Sequence, residues 1–249
     1  MQEKKYELHI YKDPSALSHA TAQWIVDRIA LTLKNQDRFT IALSGGNTPK
    51  QLNQILAASP YKEQIDWKKL HVFWGDERDV PYDDDRNNAK MAFDTLLNLV
   101  PVPRSQIHRM RTDISPEQSA LEYEKILHQY FTIDNAQAKS FDLVLLGMGE
   151  DGHTLSLFPG TSAVWEEKAW TISFFLQAQD MYRITLTKSI VNKSSLIAFL
   201  VSGSAKAPAL KEVLKGTYHP HLFPSQVINP SNGELHWFVD EDAAALLLR

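Results

Sequence analysis

The sequence predicts an α/β protein: a mostly parallel sheet with helices on both faces, plus a small antiparallel strand pair. Three observations carry that prediction. Segments with helical spacing alternate along the chain with short apolar runs. The run Phe141 to Leu146 is apolar except for Asp142, close to the pattern of a central parallel strand buried on both faces. Four apolar runs end in a polar loop that contains glycine. No low-complexity linker, repeat or composition break interrupts the 249 residues, so a single domain over 1–249 is expected.

Taken in order, Tyr6 to Tyr11 reads as a strand. Asp13-Pro14 then supplies an N-cap followed by proline at the first helical position, and Leu17, Ala20, Trp24, Ile25, Arg28 and Ile29 continue at helical spacing. Phe39 to Leu43 is a short buried strand, followed by a helix from Pro49 to about Ala58. Leu70 to Trp74 is the next strand, with a helix over Asn88 to Leu99. A long helix covers Pro116 to Tyr130 and leads to the strand at Phe141 to Leu146. Trp170 to Leu176 and Tyr182 to Thr187 form the expected antiparallel pair. Leu196 to Val201 is a strand, Ala205 to Leu214 a helix and Leu235 to Val239 a last strand before a short terminal helix.

Composition removes several classes of function. Apolar residues are 43% and charged residues 22% of the chain, ordinary for a globular protein. The net charge is −4 and lysine and arginine are not clustered, so a nucleic-acid surface is not indicated. The absence of cysteine excludes disulfides, thiolate metal sites and a cysteine nucleophile. The amino terminus MQEKKYELHI has no apolar core of the secretory kind, and runs such as Leu196 to Val201 are far too short to span a bilayer. A soluble cytoplasmic protein, monomeric or weakly self-associating, is expected.

The informative loops are Ser44-Gly45-Gly46-Asn47-Thr48, Gly75-Asp76-Glu77-Arg78, Gly147 to His153, and Ser202-Gly203-Ser204-Ala205-Lys206. If their strands are parallel, all four emerge at one edge of the sheet, where open α/β sheets bind ligands. Turn formation explains the glycines but not Arg78, His153 and Lys206 together. In the first loop Thr48 reads as N-cap and Pro49 as first helical residue. Unpaired N–H groups behind two glycines form either an anion cradle or a mere tight turn. It is not a Walker A loop, because the G-K-[ST] ending is missing. Arg78 either grips phosphate or pairs with Asp76 or Glu77 beside it. Asp83-Asp84-Asp85 reads as a solvated loop, and His219 and His221 lack an adjoining third ligand, so no metal site is expected.

Gly147 to Gly152 matches G-x-G-x-x-G, the dinucleotide fingerprint. That reading requires several turns of helix after the third glycine, but Pro159-Gly160 allows about one turn over Thr154 to Leu157. What remains is a tight turn presenting His153, with Asp151 two residues away to orient the imidazole. The alternative is a packed histidine that caps the following turn. No G-x-S-x-G elbow occurs, so a serine nucleophile on a hydrolase scaffold is not expected. The composite reading is a phosphorylated small molecule attacked at an electrophilic carbon by His-activated water.

LSGGNTP (Leu43 to Pro49), GDERDVP (Gly75 to Pro81) followed by Asn87-Asn88, GMGEDGHTLSLFPG (Gly147 to Gly160) and RITLT (Arg183 to Thr187) resemble the motif set of the 6-phosphogluconolactonase family. Order and spacing agree over almost the whole chain. Asn87 stands where the family usually has serine, and Leu155 where a small residue is common. The resemblance implies a Rossmann-like fold shared with glucosamine-6-phosphate deaminase, hydrolysis of a phosphorylated sugar lactone, and no cofactor. It implies His153 as general base with Asp151 as its partner. Ser44, Gly45, Gly46, Asn47, Thr48, Asp76, Arg78 and Lys206 would hold phosphate and substrate oxygens, with Arg183 as a further phosphate ligand. The deaminase itself is a weaker match. Its loop continues after the histidine toward F-N-E-P, whereas Ser156-Leu157-Phe158-Pro159 here lacks the carboxylate, and Arg78 replaces an expected aromatic residue. A non-catalytic sugar-phosphate sensor would not need the Asp151–His153 pair.

Overall fold

The structure is a computed structural model that describes residues 5–132 and 139–248. Strand β1 (Glu7–Tyr11) leads into α1 (Pro14–Thr32), whose start is fixed by Asp13 accepting the Ala16 N–H at 2.7 Å. Then follow β2 (Phe39–Leu43), α2 (Asn47–Leu56), the single turn α3 (Tyr61–Gln64), β3 (Leu70–Trp74) and β4 (Asp76–Arg78). The next helix begins as α4 (Asn88–Ala92) and widens to π winding over Phe93–Leu97, where the Asn98 N–H reaches back to the Phe93 carbonyl. Helix α5 (Pro116–Tyr130) has the predicted bounds, with Ser115 as its cap.

The second half contains β5 (Leu143–Gly147), β6 (Thr171–Leu176), β7 (Met181–Leu186), the turn α6 (Lys188–Val191), β8 (Leu196–Val201), α7 (Ala207–Lys215), β9 (Glu234–Asp240) and α8 (Glu241–Ala244). The predicted helix at Ala205 is a 3-10 turn over Ser204–Lys206 before α7 begins. A parallel six-stranded sheet has the order β1-β9-β8-β5-β2-β3. Its central strands are buried on both faces. Ala42, Phe73, Val144, Leu146, Phe199 and Trp237 pack on one side, with Tyr123 and Leu127 of α5. Ile41, Val72, Trp74, Leu143, Leu145 and Phe238 pack on the other, with Leu17, Ile25 and Ile29 of α1.

The expected antiparallel pair, β6 with β7, is present and is joined by β4 to make a second, three-stranded sheet. Asp-Glu-Arg carries no strand pattern; it is extended because it pairs with β7. Gly75 joins the two sheets. Its N–H donates to the Leu43 carbonyl and its carbonyl accepts from the Leu186 N–H. One further bond set fixes this corner. The buried Tyr123 hydroxyl donates to the Trp74 carbonyl at 2.9 Å and accepts the Trp74 N–H at 2.8 Å. Edge strand β3 thus finds on α5 the partners that it lacks on its open side.

Tyr123→Phe strands both Trp74 backbone groups in the core. The expected loss is about 2–4 kcal/mol of unfolding free energy in a urea titration. A change under about 0.5 kcal/mol would show that the hydroxyl is dispensable.

Candidate active site

Chain order places the site. From β2 the sheet grows to β3 on one side and to β5, β8 and β9 on the other, so the order reverses between β2 and β5. The loops that leave those two strands diverge and open a crevice at their carboxyl ends. One loop carries Ser44 to Thr48 and the other Gly147 to His153. They are adjacent: a side chain added at Gly147 would stand 3.8 Å from Ser44 Oγ.

The histidine turn is closed by the Gly152 N–H on the Gly149 carbonyl and by the Gly149 N–H on the His153 carbonyl, at 3.1 and 2.8 Å. Gly152 takes φ +76°, a conformation that disfavours a side chain. At Gly149 a Cβ would collide with the His153 ring and the Asp151 carboxylate, so glycine there makes room for that pair. His153 Nδ1 lies 2.6 Å from Asp151 Oδ1, which also accepts the His153 N–H at 3.1 Å. The carboxylate accepts a hydrogen bond from Nδ1–H, fixing the tautomer that leaves the Nε2 lone pair for chemistry. Among the described residues Nε2 has no hydrogen-bond partner, and the side chain is 27% exposed. Burial pushes the Asp151 carboxyl up, but the His153 hydrogen bond and charge outweigh it and hold the carboxyl below its ordinary value. Phe158 stacks on the imidazole with ring centroids 4.1 Å apart.

Across the crevice, α2 begins earlier than expected. Its N-cap is Gly46, not Thr48, and Pro49 is the third helical residue. Gly46 at φ +103° turns the chain sharply enough for Asn47 to enter the helix. No side chain caps this end. The N–H groups of Asn47 and Thr48 therefore have no carbonyl within the helix to pair with, which favours an anion.

The GDER segment supplies the charge. Asp76 and Arg183 form a buried ion pair at 3.1 Å. Ser156 Oγ donates to Asp76 at 2.6 Å and accepts from Arg183 Nε at 2.9 Å, and Arg183 Nη1 reaches Gln179 at 3.3 Å. The Arg183 guanidinium lies over Phe158, 5.4 Å from the ring centroid, so the ion pair and the histidine share one wall. Arg78 stands opposite Arg183 in the β4–β7 register. Neither neighbouring acid pairs with its guanidinium, which donates instead to the Arg86 carbonyl at 2.9 Å and to Asn88 Oδ1 at 2.8 Å. Two arginines thus face each other, and of these two only Arg183 has a carboxylate partner among the described residues. The surplus positive charge lies beside Gly45, where a Cβ would collide with Asn88.

Lys206 reaches the same edge through β8, next to β5, and forms no side-chain hydrogen bond or ion pair among the described residues. Its loop is tied down by Asp240, which accepts from Ser202 Oγ at 2.6 Å and from the Gly203 N–H at 3.0 Å. Asn87 is the N-cap of α4, and Leu155 adopts left-handed φ +54° with its side chain against Gly75. A broad surface concavity lies elsewhere, at the amino ends of the strands near Tyr6, Asn192 and Gly216; no histidine is among its described lining residues, so chemistry rather than size locates the site.

Ser156, Phe158, Asn88 and Glu77 were not singled out from the sequence as site residues. Glu77 is fully enclosed, and its carboxylate accepts the N–H groups of Arg78, Asn88 and Ala89 at 2.8, 2.7 and 2.8 Å. It thereby fastens the start of α4 beneath Arg78. A charged residue between two others reads as surface, and only its burial reveals this task.

Fold and site together define an α/β protein with a histidine–carboxylate pair facing an uncapped helix terminus at a topological switch point. A family profile described as "Glucosamine-6-phosphate isomerases/6-phosphogluconolactonase" matches residues 12–237. The chain belongs to that family. The 6-phosphogluconolactonase of Nostoc sp. is 38% identical over 98% of this chain and 99% of its own length. That of Synechocystis sp. is 39% identical, covering 88% of this chain and 89% of its own. The solved 6-phosphogluconolactonase from Trypanosoma brucei is similar at TM-score 0.87 and 28% identity, over 98% of this chain and 99% of that one.

Burial pushes the Glu77 carboxyl up from 4.5 to about 7, against its three N–H donors. Between those values the folded chain holds a proton that the unfolded chain has released. The stability from this group is therefore complete below about 4.5 and is lost as pH rises through about 7. The swing is on the order of 3 kcal/mol. Urea titrations from pH 4.5 to pH 8 should show wild type losing that much relative to Glu77→Gln; a constant difference would remove Glu77 from the pH response.

Proposed function

We propose that this chain hydrolyses 6-phospho-D-glucono-1,5-lactone to 6-phosphogluconate, the lactonase step of the oxidative pentose phosphate pathway, with His153 as general base. The observation that carries the reading is the 2.6 Å Asp151–His153 pair, with Nε2 unengaged beside an uncapped helix terminus. The relatives reported above support the substrate class.

A δ-lactone is an activated ester, so water and these side chains suffice and no cofactor enters the step. His153 Nε2 takes a proton from water, and the oxygen forms a bond to C1. Negative charge develops on the carbonyl oxygen and is met by backbone N–H groups of a Gly-rich loop. The tetrahedral intermediate collapses as the bond from C1 to the ring oxygen breaks, and the imidazolium returns its proton to that oxygen. Asp151 holds the required tautomer throughout. The phosphate is assigned to the N–H groups at Gly46 to Thr48 with Arg78 and Lys206, and its binding energy fixes C1 before the histidine. Ser44 and Gly45 line this cradle. Asp76 and Arg183 stand one layer behind, because the Arg183 guanidinium is already bound by Asp76 and Ser156. There Arg183 adds positive field and fixes the Phe158 wall.

Acid release from the lactone, followed with a pH indicator and corrected for the spontaneous rate, should be accelerated by the purified protein. No acceleration, or ammonia release from glucosamine 6-phosphate, would refute the assignment. His153→Ala should lower kcat by about 10²–10⁴-fold with little change in KM. Arg78→Ala should mainly raise KM; an unchanged KM would free Arg78 of phosphate binding.

A further inference from the structure

We propose that Glu7, His9 and His236 form a binding site for one divalent transition-metal ion of the zinc class, clipping edge strand β1 to β9. Glu7 and His9 are two residues apart on β1 and so share a face of the sheet. His236 stands opposite Glu7 in the parallel register. Their donor atoms converge: His9 Nε2 is 3.2 Å from His236 Nδ1, and Glu7 Oε2 is 3.7 Å from the first and 3.5 Å from the second. Ligands bound tetrahedrally to zinc at about 2.0–2.1 Å lie about 3.3 Å apart. The triangle already has nearly that size.

The surroundings prepare the site. His236 is fully buried, and its other nitrogen, Nε2, lies 3.1 Å from Glu234 Oε2. That carboxylate accepts the Nε2–H hydrogen bond and turns the Nδ1 lone pair toward His9, the outer-shell arrangement that metal-bound histidines use. Arg28 holds Glu234 in turn at 3.2 Å. Trp24 packs on His236 and Phe238 stacks on His9, with centroids 4.9 and 4.7 Å apart, so the rings need no rotation. Two carboxylates and one guanidinium leave the cluster one negative charge with neutral imidazoles, which favours a cation. Glu7 is 64% exposed on its side chain, leaving the fourth position open to water.

Without metal, one proton bridges the two nitrogens, donated by His9 Nε2. The ion replaces it and His9 shifts to its Nδ1–H tautomer. Two imidazoles and one carboxylate suit zinc better than calcium or magnesium, which prefer all-oxygen shells. The cluster sits near the amino ends of β1 and β9, remote from the carboxyl edge that carries His153. Among the described residues β1 pairs only with β9, so an ion bound to both strands stabilises this edge in proportion to its occupancy.

The test is zinc titration of metal-stripped full-length protein by calorimetry, with cobalt as a visible-absorption probe. One ion per chain is expected, with the intense cobalt bands of a tetrahedral site and a raised Tm. His9→Ala and Glu7→Gln, both at solvent-accessible positions, should weaken binding at least about tenfold, and Glu234→Gln about 10–100-fold. Lactone turnover by metal-stripped His9→Ala should match metal-stripped wild type, and His153→Ala should keep the full zinc stoichiometry. The proposal is overturned if His9→Ala binds zinc like wild type, if cobalt shows only weak octahedral bands, or if His153→Ala abolishes binding. It does not depend on the lactonase reading, because its readouts are metal affinity, spectrum and Tm.

Discussion

The buried pair of Asp76 and Arg183 is the interaction on which the rest of the site depends. It joins β4 to β7 within the small sheet, and through Ser156 it draws in the segment that follows the histidine. Arg183 also lies over Phe158, on which His153 stacks. Removing one partner of such a pair leaves an uncompensated charge in the interior, at a cost of about 3–5 kcal/mol. That penalty makes the pair a strict positional constraint: the segment after the histidine cannot shift while Asp76, Ser156 and Arg183 remain satisfied.

The same constraint explains how a neighbouring arginine keeps its charge available. Arg78 faces Arg183 across the β4–β7 ladder, and like charges at that position repel. Burial and the nearness of Arg78 lower the Arg183 proton affinity, while Asp76 raises it. Neutralising one arginine and leaving the other with neutral oxygen partners concentrates positive potential at the crevice. The uncapped start of α2 adds to it. Positive potential of this kind is what the proposed binding of a phosphate at the crevice would use.

The reading of the chain and its folded form diverge in instructive places. Helix α5 is legible in the sequence with bounds close to the observed ones, because proline at the start of a long periodic segment is a strong signal and nothing competes with it. Helix α2 was legible in existence but not in its start, because the left-handed turn at Gly46 outranks the Thr48-Pro49 signal. Strand β4 reads as loop in the sequence, since three charged residues have no periodicity and take strand form only through pairing with β7. Glu77 was passed over for a related reason. Local sequence shows charge, whereas only three-dimensional burial shows that the charge serves three backbone donors.

By itself the sequence determined the alternation of strands and helices, the four glycine loops and the rejection of a nucleotide fingerprint at Gly147 to Gly152. These follow from short-range physics: proline stops, caps and the periodicity of apolar residues. It also determined which residue types were on hand for chemistry. The tertiary structure decided that the order of strands reverses between β2 and β5, so that two loops about a hundred residues apart share one crevice. It decided that Asp76 belongs to Arg183 and not to Arg78. Partner choice among charged side chains depends on burial and on which strands lie side by side, and both are set by long-range packing that no local window of sequence contains.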